Sequence, residues 1–217
     1  GVSIEKIAYK PLRNSPRISL LITAIGISFL LENAAQMIFG AGAQVIPPFF
    51  TVPNASIGQV EIPGTAIVTV AVTALSMVAL TLLIQKTKMG KAMRAVSEDT
   101  GAAQLMGINI NRTISFTFAI GSALAGIGSV LYCTAYPQAT ATMGSMLGLK
   151  AFVAAVLGGI GSIPGAMIGG FAIGLAEALV SAAGLSVWKD GVVFAILIVV
   201  LLVKPTGILG RSMSEKV

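Results

Sequence analysis

Four polar side chains lie within stretches of sequence that are otherwise apolar, and their chemistry needs an explanation. Glu32, Asn33 and Gln36 share one such stretch, and Glu177 lies in another. A carboxylate in hydrocarbon costs at least about 2.5 kcal/mol, so it usually faces the interior of a helix bundle or a watery cavity. These residues are candidates to line a path through a membrane. Structural hydrogen bonding between helices is an equally good explanation.

The depth of these residues permits a shared polar layer. Glu32 and Glu177 each lie about 21 Å from the first residue of their apolar stretch, at about 1.5 Å per helical residue. Asn33 and Gln36 are three positions apart, so they share one helix face. Equal depth does not establish contact between the two stretches.

The composition limits what other chemistry is available. The chain is 55% hydrophobic and 10% charged, against about 25% charged for a soluble domain, so a bilayer has to be its solvent. It has no His and one Cys, which argues against a zinc site and a disulfide framework. Gly90-Lys91 lacks the Ser or Thr and the upstream Gly of a phosphate-binding loop. We therefore expect a chain that is not an enzyme by itself and binds neither metal nor cofactor.

The apolar stretches predict an all-α integral membrane protein, a polytopic helix bundle forming one transmembrane domain over residues 1–217. About six membrane segments are expected, one of them short or broken, because a span needs about 20 apolar residues. The predicted segments are 18–42, 65–85, 113–136, 147–160, 163–183 and 188–203.

Basic residues predict the orientation of these segments. Residues 1–17, the loop 86–112 and the tail from Lys204 hold 12 of the 14 Lys and Arg residues, the tail contributing Arg211 and Lys216 as well. The positive-inside rule places all three regions, and so the carboxyl terminus, in the cytoplasm. The charge of +6 is then explained by topology rather than by nucleic-acid binding. This orientation makes residues 158–165, GGIGSIPG, a tight cytoplasmic turn.

The loop 86–112 is the most specific feature of the sequence. It predicts a short helix with an apolar face of small residues, capped by Ser97 or Asp99 and stopped by Gly107. Such a face suits insertion into a groove on another protein, and a helix resting on the lipid surface is the alternative. The residues expected to contact a partner are Arg94, Glu98, Asp99, Ala102, Ala103, Leu105, Met106 and Gly107.

Within this loop AAQLMG (102–107) resembles the Ala-Ala-x-x-x-Gly core of the coupling loop of bacterial ABC importer permeases, with Gly101 where a Glu is usual. Longer stretches resemble the LivH-type permeases of branched-chain amino-acid ABC importers. These stretches are GKAMRAVSEDTGAAQLMGINI (90–110), AYKPLR (8–13), KAFVAAVLGGIGSIPGAMIGG (150–170) and KPTGILG (204–210).

The resemblance implies a multi-pass subunit of a bacterial inner-membrane importer. Its implied partners are a second permease subunit, cytoplasmic ATP-binding subunits that use the ATP, and an external solute-binding protein. It also implies that further spans precede this sequence. The expected function is import of branched-chain or related apolar amino acids, driven through residues 90–107. Two alternatives remain: a proton-coupled secondary transporter of small amino acids or amides using Glu32 or Glu177, and a membrane scaffold without transport.

Overall fold

The computed structural model is almost wholly helical. It describes residues 1–13, 15–47, 50, 53–57, 60–204 and 206–210. The chain divides into two compact units, Gly1–Ala141 and Thr142–Val217.

The first unit holds three long apolar helices and the loop helices between them. Its helices are α1 (Val2–Ile4, continued by the π-helical turn Glu5–Tyr9), α2 (Arg17–Phe39), α3 (Gly64–Lys86), α4 (Lys88–Glu98), α5 (Thr100–Leu105) and α6 (Ile110–Ala135). Its strands are β1 (Gln44–Val45), β2 (Ala55–Ile57), β3 (Val60–Ile62) and β4 (Gln138–Ala139).

Short antiparallel strands join the segments that follow α2 and α6. In the β1–β4 pair Gln44 lies opposite Ala139, and β2 pairs with β3 as a hairpin before α3. The pairing of β1 with β4 fixes the exit of α2 beside the exit of α6. The four prolines of residues 43–64 favour an ordered loop, and one of them, Pro48, lies outside the described residues.

The second unit is a three-helix assembly of α7 (Met143–Gly158), α8 (Ile163–Ala182) and α9 (Lys189–Val203), the last preceded by a 3-10 turn, Ser186–Trp188. Its core is the apolar cluster of Val153, Leu157, Ile173 and Val193. The core lies where the three helices meet, so each helix contributes at least one buried side chain.

Small residues bring α7 and α8 into close contact. A Cβ placed on Gly165 would lie 2.3 Å from the carbonyl oxygen of Gly158, and one placed on Gly169 would lie 2.1 Å from that of Ala154. Neither position has room for a side chain. Close backbone packing of this kind stabilises helix pairs in lipid, where hydrophobic burial gives no advantage.

The structure confirms the expected fold class. Among the described residues, five helices are long and apolar enough to cross a bilayer: Ile18–Phe39, Gly64–Lys86, Ile110–Ala135, Ile163–Ala182 and Ser186–Val203. The short segment is α7, whose 16 residues span about 24 Å at about 1.5 Å per residue, less than the bilayer core of about 30 Å.

Helix boundaries differ from the predicted segments by a few residues, for local reasons. The first span ends at Phe39 rather than at residue 42, because Gly40 takes a φ of +87°, which stops a helix. The third begins at Ile110 rather than at residue 113, because Asn109 caps it.

The predicted turn between α7 and α8 is present and is held by the segment after α9. Ile208 N donates to the carbonyl oxygen of Leu157 at 2.9 Å, and Leu209 N donates to that of Gly158 at 3.0 Å. The segment that follows α9 therefore lies at the same end of the unit as this turn, as three successive crossings require. Arg211 and Lys216 lie outside the described residues.

We expect Gly169→Ala to destabilise the protein by about 1–3 kcal/mol, because the new methyl group has to push α8 away from α7. Gly174→Ala is the matched control, since it makes the same change in the same helix where no atom lies within 4 Å. The measurement is the thermal unfolding midpoint of the purified protein in detergent. Equal midpoints for the two variants would contradict the close packing seen at Gly169.

Candidate functional site

The loop that joins α3 to α6 is a rigid structure rather than a slack connection. Thr87 begins α4, its Oγ1 accepting a hydrogen bond from Gly90 N at 3.0 Å. A Cβ on Gly90 would lie 2.3 Å from the carbonyl oxygen of Ile84. Helix α4 is thus folded tightly against the end of α3, and a glycine makes this elbow possible.

Asp99, one of the two residues predicted to cap the loop helix, caps α5. Its Oδ1 accepts hydrogen bonds from Gly101 N at 2.8 Å and Ala102 N at 3.0 Å, which satisfies two otherwise unpaired helix donors. Ser97 instead donates to the carbonyl oxygen of Arg94 within α4. A cap at Asp99 divides the loop into two helices, where the sequence predicted one.

The exit from α5 is equally well defined. Gly107 takes a φ of +77°, which confirms the predicted stop, and Ile108 N donates to the carbonyl oxygen of Ala103 at 3.0 Å. Asn109 then begins α6, its Oδ1 accepting from Arg112 N at 3.1 Å. The loop therefore passes directly into a membrane-length helix.

Helix α5 presents two large apolar side chains to the outside of the unit. Leu105 is 90% exposed and Met106 is 82% exposed, whereas Ala103 is 3% exposed. Ala103 therefore anchors α5 to its own unit, and the surface left for a partner consists of Ala102, Leu105 and Met106, called here the docking face. Among the other predicted contact residues, Arg94, Glu98, Asp99 and Gly107 are also exposed.

The predicted path residues Glu32, Asn33 and Gln36 lie close together on α2, in the first unit. Asn33 is exposed, and its Nδ2 donates to the carbonyl oxygen of Phe29 at 2.7 Å, one turn earlier in the same helix. Glu32 and Gln36 are half-buried. The side-chain amide of Asn33 is thus partly satisfied by a hydrogen bond within α2.

Glu177, the remaining predicted path residue, takes part in an ion-pair cluster of the second unit. Lys150 Nζ lies 2.8 Å from Glu177 Oε1 and 2.7 Å from Asp190 Oδ1, and all three side chains are half-buried. This cluster, the Lys150 triad, contains one residue from each of α7, α8 and α9. Because each charge in hydrocarbon needs a partner, the triad stabilises the association of the three helices.

Sequence reasoning missed Lys150 and Asp190 as partners of Glu177. A usable signal was present, since Lys150 is the one charge in the apolar stretch 147–160. An isolated ammonium at membrane depth requires an acid nearby. Two acids could fill this role: Glu177 lies within the next apolar helix, α8, and Asp190 lies at the start of α9.

A second missed cluster fixes the amino-terminal segment to α6. Glu5 is fully buried, forms an ion pair with Arg13 and accepts a hydrogen bond from Ser115 Oγ at 2.6 Å. Arg13 also donates to Asn111 Oδ1. The pairing offsets the desolvation of the Glu5 carboxylate and ties residues 1–13 to the first turns of α6.

We expect Lys150→Met to destabilise the protein by about 1–3 kcal/mol, because it leaves two half-buried carboxylates without their counterion. Glu177→Gln and Asp190→Asn should each cost less, since Lys150 keeps one acid in both. Unfolding midpoints of the purified protein give the order. The double variant Lys150→Met with Glu177→Gln should recover part of the loss, and additive losses would contradict the triad.

Comparison with known proteins gives consistent results. The family model described as the permease component of the branched-chain amino acid transport system matches residues 1–201. The high-affinity branched-chain amino acid transport system permease protein LivH of Escherichia coli K12 is 49% identical over all of this chain and 72% of its own length. BraD of Pseudomonas aeruginosa is 45% identical with the same coverage.

A more distant relative has a similar name. The probable branched-chain amino acid transport permease protein LivH of Methanocaldococcus jannaschii is 31% identical over 95% of this chain and 69% of its own length. No solved structure matches the chain. A family model over residues 1–201 and relatives aligned along the whole chain agree: this chain belongs to the permease component family of branched-chain amino acid transport systems.

Proposed function

We propose that the chain is a membrane permease subunit of an ATP-driven importer that translocates branched-chain or related apolar amino acids. The observation that carries this proposal is the docking face, an exposed apolar surface on a capped helix that links two membrane-length helices. The permeases to which the chain is 45–49% identical are named for branched-chain amino acid transport.

In this proposal the ATP-binding subunits contact the docking face and transmit their conformational change to this subunit through it. The chain lacks a phosphate-binding loop, so energy has to arrive from ATP-binding subunits through a surface contact. An exposed Leu and Met on a short helix suit an apolar groove of the kind that receives amphipathic helices. Arg94 and Glu98 lie on the neighbouring α4 and supply charged contacts at the edge of that groove.

The connections of the loop convert a push on α5 into movement of two spans. Helix α4 packs directly against the backbone of α3 at Gly90, and Asn109 caps α6 where the loop ends. When the ATP-binding subunits close, a displacement of α5 would therefore move the near ends of α3 and α6. Such a movement alternates the access of a path between the two sides of the membrane.

The path itself is mostly apolar and holds few polar groups. Asn33, Gln36 and Glu32 on α2 are the polar groups that we assign to it. An amino acid with an apolar side chain and a charged backbone suits such a lining. Selection among leucine and similar substrates would rest with an external solute-binding protein, which delivers the amino acid to the permease.

The orientation and the remaining partners complete the proposal. The positive-inside rule supports a cytoplasmic position for residues 1–17, the loop 86–112 and the carboxyl terminus. That orientation points the docking face to the compartment that holds ATP. A second permease subunit would line the other half of the path, and the assembly would lie in a bacterial inner membrane.

We expect Leu105→Asp and Met106→Asp each to reduce amino-acid uptake by about thirtyfold, the effect of losing a contact worth about 2 kcal/mol at an interface centre. The solute-binding protein should no longer stimulate ATP hydrolysis by the complex, while membrane insertion is unchanged. Ser97→Asp adds the same charge to an exposed position of α4 and serves as the control. Normal uptake by the Leu105 and Met106 variants would refute the assigned role of the docking face.

We further expect uptake of radiolabelled leucine by vesicles that contain the full-length protein, its partner subunits and its solute-binding protein to require ATP inside the vesicles. Collapse of the proton gradient with an ionophore should leave this uptake intact. Uptake without ATP that stops with the proton gradient would replace the proposal with a secondary transporter. Stimulation of ATP hydrolysis by a binding protein loaded with another solute would support the ATP-driven importer but reject leucine as its substrate.

A further inference from the structure

A cavity of about 550 Å³ opens where the amino-terminal segment meets the start of α6. Its basic lining residues are Lys6 and Lys10 from the amino-terminal segment and Arg112 from the third position of α6. More than one hundred residues separate the two lysines from the arginine in sequence, so the fold and not a local run of charge brings these cations together.

The positive charge of this cavity is not neutralised by the residues around it. None of the described residues that line it is acidic. The neighbouring acid, Glu5, is fully buried and already bound by Arg13 and Ser115. All three cations are exposed, so water screens part of their mutual repulsion. An anion between them would remove the rest, and the cavity offers it three positive charges.

The rest of the lining narrows the class of anion. Asn109 and Asn111 add polar groups beside the cations, while Met89 and Phe116 supply apolar surface. Arg112 lies in the first turn of a helix long enough to cross a bilayer, and the ends of such a helix meet the lipid headgroups. A ligand with a phosphate and an adjoining apolar part matches this arrangement better than a free anion does.

We propose that this cavity binds the phosphate of an anionic phospholipid, with Lys6, Lys10 and Arg112 around the headgroup and the acyl chains leaving along Phe116. Basic pockets beside membrane helices on the cytoplasmic side are suited to such headgroups. Positive-inside topology alone explains why the cations lie on that side, but it does not require three of them to converge on one cavity.

The test is native mass spectrometry of the full-length transporter complex in detergent, titrated with phosphatidylglycerol or with phosphatidylcholine. We expect phosphatidylglycerol to be retained preferentially and Lys6→Gln with Lys10→Gln to weaken its binding about thirtyfold, because each Lys near an anionic lipid contributes about fivefold. The control is Lys86→Gln with Lys88→Gln, which removes the same charge from exposed positions that do not line the cavity. This control should bind phosphatidylglycerol normally.

Further variants keep the test decisive if the lysine variant fails to assemble. Arg112→Gln should then weaken binding while Arg112→Lys largely retains it. Equal retention of the two lipids, or equal weakening by the control pair, would overturn the proposal. Displacement of the lipid by millimolar inorganic phosphate would also overturn it, since the cavity would then be a site for a soluble anion. Uptake is not measured in this test, so its outcome is independent of the transport proposal.

Discussion

In hydrocarbon a polar group has no water to bond with, and this requirement governs both units of the chain. Backbone groups are satisfied within helices, and hydroxyl groups follow the same rule. Thr69 and Thr134 each donate to the carbonyl oxygen four residues earlier, at 2.7 Å in both cases. The charges of the second unit's apolar helices are instead satisfied between helices. The Lys150 triad is the clearest instance, because its three residues come from three helices and hold them in one arrangement.

The same requirement does not act on the loop that joins α3 to α6, and the loop is built differently. Side-chain caps from Thr87, Asp99 and Asn109 define where each helix begins, and water can solvate what the caps leave. Large apolar side chains are tolerated on the outside, where Leu105 and Met106 lie. An exposed apolar pair on a helix ordered by caps differs from a frayed loop, because its position relative to α3 and α6 is fixed before any partner arrives.

What the sequence predicted well were features set by neighbouring residues. The long spans, the stop at Gly107 and the cap at Asp99 depend on composition or on hydrogen bonds within a few positions. The two missed clusters depend on residues far apart in sequence. Glu5 lies in a segment that the sequence predicted to be cytoplasmic, but it is buried because Arg13 and Ser115 surround it. Likewise Lys150 is a single charge in an apolar segment, and its pairing with Glu177 and Asp190 depends on how the helices pack.

The pairing of Glu177 also bears on how the path and the scaffold divide the polar residues between them. A carboxylate held by Lys150 at 2.8 Å stabilises its own unit whether or not it also meets a substrate, so its burial cost no longer demands a transport role. Asn33 and Gln36 carry no charge and have no such ionic partner to account for them. Their cost in hydrocarbon is offset only by hydrogen bonds, and Asn33 makes one of these within its own helix. The remaining donors and acceptors of these amides need water, a substrate or another helix, and this need is the reason for assigning them to the proposed path.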